Sequence, residues 1–400
     1  MKMFCYSRIL FFVPFIILFC DINQVLCETS RKLSHLVNPY CNSTCGNLIM
    51  IKAEGPADVL YYVWDFDSKP TLTMFALPPH SNMSVDWDNY EKHKQKSISF
   101  TSWPFYIFGV MINNIYEFND QDDSGILHSD AAQNIKMPSQ YFNWSIGGFL
   151  DDIPSNSILY YLSADGYQHE NITKTGVINI TASVFGNDGH SEELPHLLHT
   201  ENSSQVDLVI DNLTTSYDRS RFAIEYVTFG LNDENSKVRL SAKKTLDDEN
   251  TPGVFILDTL RVGNDNDINQ AHSGYLQWLP IVYTSSNKVV SNSTKTFEYD
   301  IVNATRSLSD TVLNSSLLLD LRGFPIKVVS ANISFGWSGD GFYRRTNYSS
   351  WSFLIGIGSS PEPEFSMMVF LIIAIGLGFP TLIILGGTAF MIYRKVRYGD

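Results

Sequence analysis

Cysteine is scarce in this sequence, with only five in 400 residues. Three of them, Cys5, Cys20 and Cys27, lie in an N-terminal segment that has the pattern of a removable secretory signal. Cys41 and Cys45 then remain, and an even pair in an oxidising compartment predicts a small-loop disulfide. A metal site would need two further ligands close by, and the nearest histidine supplies only one.

The sequence also lacks a specific catalytic or cofactor-binding motif. Residues 336–339 miss the Gly-x-Ser-x-Gly pattern by one position, and no phosphate-binding glycine loop occurs. His196 and His199 alone do not make a metal site. Residues 120–125 begin like a calcium loop, but Ala131 stands where a glutamate is required, which favours a solvated turn. We therefore predict no enzyme, no cofactor and no metal, although a glycosidase carboxylate pair would leave no local spacing.

The sequence has fewer basic than acidic residues. The chain has 28 lysine and arginine residues against 42 aspartate and glutamate residues. The segment 28–364 therefore carries about −17 when its histidines are neutral. Nucleic acid is excluded as a partner because binding phosphate needs the opposite sign. All nine histidines lie in this segment, and we expect them to become charged in an acidic lumen and roughly to halve its net charge.

Two segments of the chain concern membranes, and the first is the N-terminus. Residues 1–27 start with two basic side chains and contain an eleven-residue apolar stretch at 9–19. That stretch is too short to span a bilayer, which favours a signal peptide over an uncleaved anchor. The mature chain is then expected to begin at Glu28.

The second segment is a transmembrane helix predicted at residues 365–393, which carry no charge over 29 positions. Arg394, Lys395 and Arg397 follow at once, so the tail 394–400 is expected to stay cytosolic. This predicts a type I single-pass protein with a lumenal N-terminus.

The predicted membrane span contains features that a simple anchor does not need. Ala374 and Gly378 are four residues apart on one helical face, and Pro380 removes one backbone hydrogen bond. Small residues let a second helix approach closely in lipid. We therefore expect this helix to pack against a partner helix, although glycine is also common in membrane helices.

Acceptor motifs for N-glycosylation are more than twice as frequent as the roughly five expected by chance from composition. All of them lie between the signal and the membrane span, which predicts a protective glycan coat. The twelve predicted sites are Asn42, Asn82, Asn143, Asn171, Asn179, Asn202, Asn212, Asn292, Asn303, Asn314, Asn332 and Asn347.

The segment between signal and span has a strong β pattern. Short runs rich in β-branched and aromatic residues alternate with turn clusters, and no amphipathic helical pattern exceeds three turns. We predict an all-β ectodomain of one or two antiparallel β-sandwiches plus a single C-terminal transmembrane helix. The predicted first β-domain is 28–190, the second is 191–358 and the stalk is 359–364, although one large sandwich would have a similar pattern.

Several short segments occur in a characteristic order and spacing. They are LYYVW at 60–64, PHS at 79–81, SVDW at 84–87, LLHT at 197–200, DDE at 247–249, VFILD at 254–258, QWLP at 277–280, NISFG at 332–336, SWS at 350–352, LGFP at 377–380 and LGG at 385–387. In these segments the sequence resembles the glycosylated lysosomal membrane protein family. The resemblance covers about residue 59 to the end of the span.

The resemblance implies a non-enzymatic lysosomal accessory subunit. Its partner would be a lysosomal major-facilitator transporter that exports dipeptides, which it would shield from proteases, and its all-β lumenal part would be able to form a homodimer. The sequence departs from the family in its short tail. Tyr393 and Val396 fit a Tyr-x-x-hydrophobic sorting signal but lie close to the bilayer, so either the sequence stops early or the partner directs delivery.

Two other functions stay open at this point. A lumenal hydrolase tethered to the membrane would need convergent carboxylates, or a nucleophile beside a base, in a pocket. A cell-surface receptor or adhesion protein would carry a similar glycan coat, because the coat indicates topology better than organelle.

Overall fold

The computed structural model describes residues 30–36, 48–128, 130–152, 156–232, 236–245, 254, 256–264, 272–303, 306–315, 317–362 and 367–399. Its strands are β1 Lys32–Leu36, β2 Leu48–Glu54, β3 Val59–Asp65, β4 Thr71–Leu77, β5 Met83–Val85, β6 Ile98–Phe100, β7 Tyr106–Asn119, β8 Asn134–Pro138, β9 Phe142–Asp152, β10 Ser157–His169, β11 Ile172–Phe185, β12 Gly189–His190, β13 Leu198–His199, β14 Ser203–Asp211, β15 Ser220–Leu231, β16 Ser236–Lys244, β17 Ile256–Asn264, β18 Ser273–Trp278, β19 Ile281–Tyr283, β20 Ser293–Glu298, β21 Val302–Asn303, β22 Ile326–Phe335 and β23 Tyr348–Ile357. The helices are α1 Trp87–Glu91, α2 Arg306–Leu313 and α3 Met367–Tyr398.

Nineteen strands form one antiparallel hydrogen-bonded network arranged in two layers. The first layer has the order β1–β2–β3–β4–β7–β15–β22, with β8 also on β7 and β21 also on β22. The second has the order β9–β10–β11–β14–β23–β18–β17–β16, with β19 also on β23. β20 joins the layers because it pairs with β19 at one end and with β22 at the other. The predicted all-β antiparallel fold is confirmed.

Strands from both sides of the predicted boundary at residue 190 lie next to one another. In the first layer β15 pairs with β7 along eleven residue positions, from Ser220 opposite Asn119 to Gly230 opposite Phe108. In the second layer β14 pairs with β11. Hydrogen bonding and core packing are therefore continuous between 28–190 and 191–358 among the described residues.

The main hydrophobic core lies between the two layers. The rings of Trp64 on β3 and Tyr160 on β10 meet edge to face with their centroids 6.1 Å apart. All seven residues of β3 are buried, because α1, β5, β6 and residues 317–321 form a second core on its outer face. A strand covered on both faces has a continuous apolar sequence, and this explains the LYYVW run.

The C-terminal helix α3 stands apart from the sandwich. Its stretch Ile375–Tyr398 is long and apolar enough to cross a membrane, and none of that stretch is buried against the described chain. The predicted single apolar C-terminal helix is confirmed. The helix also continues past Tyr393, where the predicted span ended, as far as Tyr398.

Candidate functional site

Eleven of the twelve predicted glycosylation sites lie among the described residues, and Asn42 lies outside them. Three are half-buried, namely Asn179, Asn202 and Asn332. A glycan is bulky and hydrophilic and needs an open surface. Eight sites are exposed and meet that requirement: Asn82, Asn143, Asn171, Asn212, Asn292, Asn303, Asn314 and Asn347. Attachment of sugar at these positions stays a prediction.

Two acceptor side chains are held in place through their carbonyl oxygens. The Nζ of Lys52 donates to Oδ1 of Asn82 at 3.1 Å. Arg31 donates to Oδ1 of Asn202 from Nε at 3.0 Å and from Nη2 at 2.6 Å. Sugar is linked through the other amide atom, Nδ2. These contacts therefore fix the amide while leaving its nitrogen for the linkage.

Asn332 has the least favourable surroundings of the described acceptors. It lies on β22 directly opposite Glu225 of β15, whose neighbour on β7 is Asn114. Its Oδ1 is buried and has no hydrogen-bond partner. A half-buried amide in the middle of a paired strand leaves little room for a glycan.

The acceptors leave one part of the sandwich bare. No Asn-x-Ser/Thr motif occurs between Asn212 and Asn292, the longest gap between successive acceptors. This segment contains β15 to β19, including the edge strand β16 and its neighbours β17 and β18. The sequon-free face is defined here as the outer surface of β16 and β17, because every residue of β18 is buried.

The chain that leads to the membrane helix runs across the sequon-free face. In the predicted stalk 359–364, the carbonyl of Pro361 accepts from Nε2 of Gln277 at 3.0 Å. The carboxylate of Glu362 lies 2.6 Å from Nζ of Lys243. These contacts place the sequon-free face beside the start of α3, since only four residues separate Glu362 from that helix.

A buried lysine lies beside a serine, which is the arrangement that a hydrolase would require. Lys174 is ion-paired with Glu117, and both side chains are almost fully buried. The Nζ of Lys174 also donates to Oγ of Ser216 at 2.6 Å. Because the lysine is the donor in this hydrogen bond, it cannot accept the serine proton as a general base would. The cluster is a buried ion pair that joins β7 to β11.

A polar cavity of about 220 Å³ lies at the outer side of the first layer. Asp65, which lines this cavity, accepts from the hydroxyls of Tyr90 at 2.9 Å and Ser315 at 2.7 Å. Burial raises the pKa of Asp65, and these two hydrogen bonds lower it in part. Its oxygens are thus occupied by the protein. The cavity lining includes Asp65, Lys69, Gln140, Thr311, Asn314 and Ser315.

One buried and one half-buried carboxyl group, those of Asp258 and Glu298, interact beside the main core. Asp258 on β17 is only 6% exposed, and Trp278 of β18 is directly opposite it. Trp278 donates through Nε1 to Oε1 of Glu298 at 3.3 Å. Burial, followed by the charge of Glu298, raises the pKa of Asp258 to about 7. A glycosidase acid must reach a sugar in an open cleft, which this buried position does not offer.

The segment that resembles a calcium loop is bound to an arginine instead. The Nε of Arg221 donates to Oδ2 of Asp120 at 2.6 Å, and both side chains are buried. The same guanidinium contacts the carboxylates of Asp123 and, at 2.7 Å, Asp340. Among the described residues no group of three or more His, Cys, Asp or Glu side chains is placed to hold a metal ion.

The expectation that residues 120–125 form a solvated turn is wrong for Asp120. Burial would raise the pKa of this carboxyl, but the backbone N–H groups of Ser124 and Gly125 and the charge of Arg221 lower it overall. These donors hold the carboxylate ionised inside the protein. Two of these donors lie in the same loop as Asp120, but Arg221 is 101 residues away in the chain, so local sequence gave no signal for the ion pair.

The expectation that all nine histidines charge in an acidic lumen is wrong for His199. Its ring is buried and is stacked on Phe185 with the centroids 3.5 Å apart. Burial lowers the pKa of His199 to about 4, despite opposing backbone hydrogen bonds. The LLHT segment therefore contributes a buried histidine that packs against the end of β11 in the second layer.

The remaining predicted sites are the signal, the disulfide and the sorting signal. Residues 1–27, Cys41 and Cys45 lie outside the described residues, so the signal and the disulfide stay predictions. Tyr393 and Val396 both lie within α3, about one helical turn apart, and both are exposed. Their role as a sorting signal stays a prediction.

The sequence is similar to known proteins along most of its length. The family model described as glycosylated lysosomal membrane protein matches residues 47–398. The chain is 26% identical to the glycosylated lysosomal membrane protein of Homo sapiens, over 99% of this chain and 94% of that protein. It is 25% identical to glycosylated lysosomal membrane protein A of Xenopus laevis, over 90% and 89% respectively. It is 26% identical to the glycosylated lysosomal membrane protein of Danio rerio, over 91% of this chain and 89% of that protein. The chain therefore belongs to the glycosylated lysosomal membrane protein family.

Proposed function

We propose that this protein is a non-enzymatic accessory subunit that binds a multi-span lysosomal transporter, a dipeptide exporter, and protects it from lumenal proteolysis. The observation that carries the proposal is the distribution of acceptors. Eight exposed acceptors lie in other parts of the described chain, whereas the sequon-free face beside the membrane helix has none. Glycans would shield the body, and the bare face would be free to contact a protein embedded in the same membrane.

The membrane helix supports the same proposal. At Gly376, Gly378, Gly386 and Gly387 an added Cβ would meet, apart from the adjoining backbone of α3 itself, no atom of the described chain within 4 Å. Small residues on a lipid-exposed helix favour close packing against another helix. The type I orientation, with the sandwich in the lumen, belongs to this proposal and follows from the basic residues after the span.

The test is affinity purification of the full chain from lysosomes in mild detergent. We expect a multi-span transporter to be recovered, and we expect its lumenal loops to be cleaved faster in lysosomes that lack this protein. Failure to recover any multi-span transporter would overturn the proposal. Residence at the cell surface instead of lysosomes would favour a receptor or adhesion protein.

A second variant tests whether the helix takes part in binding. Residues 365–393 are replaced by a poly-Leu span of equal length while the sandwich is left intact. If the helix packs against the transporter, the chimera recovers less of it than the parent does. Equal recovery would restrict recognition to the sequon-free face or another lumenal surface.

A further inference from the structure

The most exposed tryptophan in the described chain sits on a small aromatic cluster. Trp103 is 62% exposed, and its ring centroid lies 5.7 Å from that of Phe100 and 5.3 Å from that of Phe324. Phe100 in turn packs against Phe75 of β4, with the centroids 5.4 Å apart. The indole therefore packs against Phe100 and Phe324, while more than half of its surface stays exposed. Exposed apolar patches of this kind mark binding surfaces.

A predicted glycan acceptor lies at the same end of the β5–β6 pair. The backbone N–H of Thr101 donates to the carbonyl of Asn82 at 3.0 Å, and Oγ1 of Thr101 accepts from the N–H of Asn82 at 2.8 Å. Trp103 follows Thr101 by two residues. The Cα atoms of Asn82 and Trp103 are thus within about 12 Å, given the reach of two residues and the separation of paired strands.

The Asn82 amide is oriented for a fixed glycan. Lys52 binds its Oδ1. Ser84, the hydroxyl residue of the motif, is exposed on β5, where its hydroxyl is 2.8 Å from that of Ser99. Asn82 comes directly before β5, and its backbone is hydrogen-bonded to Thr101. A sugar attached to Asn82 therefore starts from a defined position near the indole.

We propose that the exposed face of Trp103 is a binding site for the proximal N-acetylglucosamine residues of the glycan on Asn82. The C–H groups of a pyranose ring carry partial positive charge, and the face of an aromatic ring is negative, so the two surfaces are complementary. The proposal rests on the glycan at Asn82, which is part of the proposed function. It adds that this glycan is packed on the protein and shields an apolar patch, in contrast to a glycan that only extends into solvent.

The test measures oxidation of individual tryptophans by N-bromosuccinimide, read by peptide mass spectrometry, in the full glycosylated chain in detergent. We expect Trp103 to be oxidised roughly threefold to tenfold more slowly in the wild type than in Asn82→Gln, as an aromatic contact of ordinary strength implies. Trp337, which is 46% exposed, is the internal control and should react equally in both proteins. Asn171→Gln removes a distant exposed acceptor and should leave Trp103 protected.

A second variant separates the sugar from the asparagine side chain. Ser84→Ala abolishes the acceptor motif and keeps Asn82 and its contact with Lys52. It should expose Trp103 as much as Asn82→Gln does, and if it does not, the protection comes from the side chain and the proposal is overturned.

Site occupancy, measured on the same peptides, distinguishes a missing glycan at Asn82 from a glycan that is present but does not cover Trp103. An unmodified Asn82 would remove the glycan coat at this position and the binding site with it. An occupied Asn82 with equal Trp103 oxidation in wild type and variant would overturn the binding site alone. Protection that appears only when a multi-span protein is co-purified would assign the patch to a protein partner, which also overturns it.

Discussion

Arg221 and Asp120 form a buried ion pair in which Nε of the arginine lies 2.6 Å from Oδ2 of the aspartate. Replacement of Asp120 by Ala leaves the guanidinium buried with less compensation, and breaking a buried pair in this way destabilises proteins by about 3–5 kcal/mol. We expect Asp120→Ala to lower the thermal midpoint strongly. The control is Arg344→Ala, which removes an exposed ion pair with Asp218 and should change stability by about 1 kcal/mol or less. Equal effects of the two variants would contradict a structural role for the buried pair.

Asp258 should make the folded protein more stable in acid than at neutral pH. Its pKa is raised from 3.8 to about 7 in the folded state, so its contribution is fully present below the unfolded value. The contribution is lost as the pH rises toward 7, at about 1.4 kcal/mol per pH unit. Urea unfolding between pH 4 and 8 should show this decline in the stability of the wild type minus that of Asp258→Asn, because His199 gives the wild type the opposite slope below pH 6.5. The same difference taken with Asp88→Asn, at an exposed carboxyl, should not show the decline.

His199 should act in the opposite direction. Its pKa falls from 6.5 to about 4 on folding, so its stabilising contribution is present above pH 6.5 and is lost as the pH falls toward 4. His199→Phe keeps a ring to stack on Phe185 and removes the titration. The variant should lose less stability than the wild type between pH 6.5 and 4. An unchanged acid slope would show that the imidazole is not buried in the neutral form.

Occupancy of the glycan acceptors should follow their exposure. Asn332→Gln should leave the electrophoretic mobility of the mature protein unchanged, because its amide lies half-buried in a paired strand. Single Gln variants at exposed acceptors such as Asn171 and Asn347 should each increase mobility by one glycan step. A full step for Asn332→Gln would mean that sugar is added there before β22 is buried.

The local parts of this fold could be predicted from sequence. The LYYVW run predicted β3, because a strand that is buried on both faces has a continuous apolar sequence. The uncharged C-terminal stretch predicted α3, because a helix that crosses lipid needs about 20 apolar residues. The order of strands in the layers could not be predicted, since β7 and β15 are about a hundred residues apart and any β-rich segment could have paired with either.

The buried charges were missed for the same reason. Arg221 and Asp120 are 101 residues apart, and Lys174 and Glu117 are 57 apart, so neither pair leaves a spacing that sequence inspection detects. His199 was predicted to be solvated and to become charged, whereas its ring is buried. Its short segment had no feature that distinguished a ring stacked on Phe185 from a solvated one, because the stacking depends on the turn between Phe185 and His199.

The pairing of β7 with β15 and of β11 with β14 has a consequence for a protein that lives among proteases. A single cut in the connection between β11 and β14 would leave an N-terminal and a C-terminal piece. In each layer a central strand of one piece would still be hydrogen-bonded to a central strand of the other piece. These are β7 with β15 and β11 with β14, each paired along eight or more residue positions. The two pieces would therefore stay together as one folded body attached to the membrane helix. A single cut would break the chain without releasing either piece.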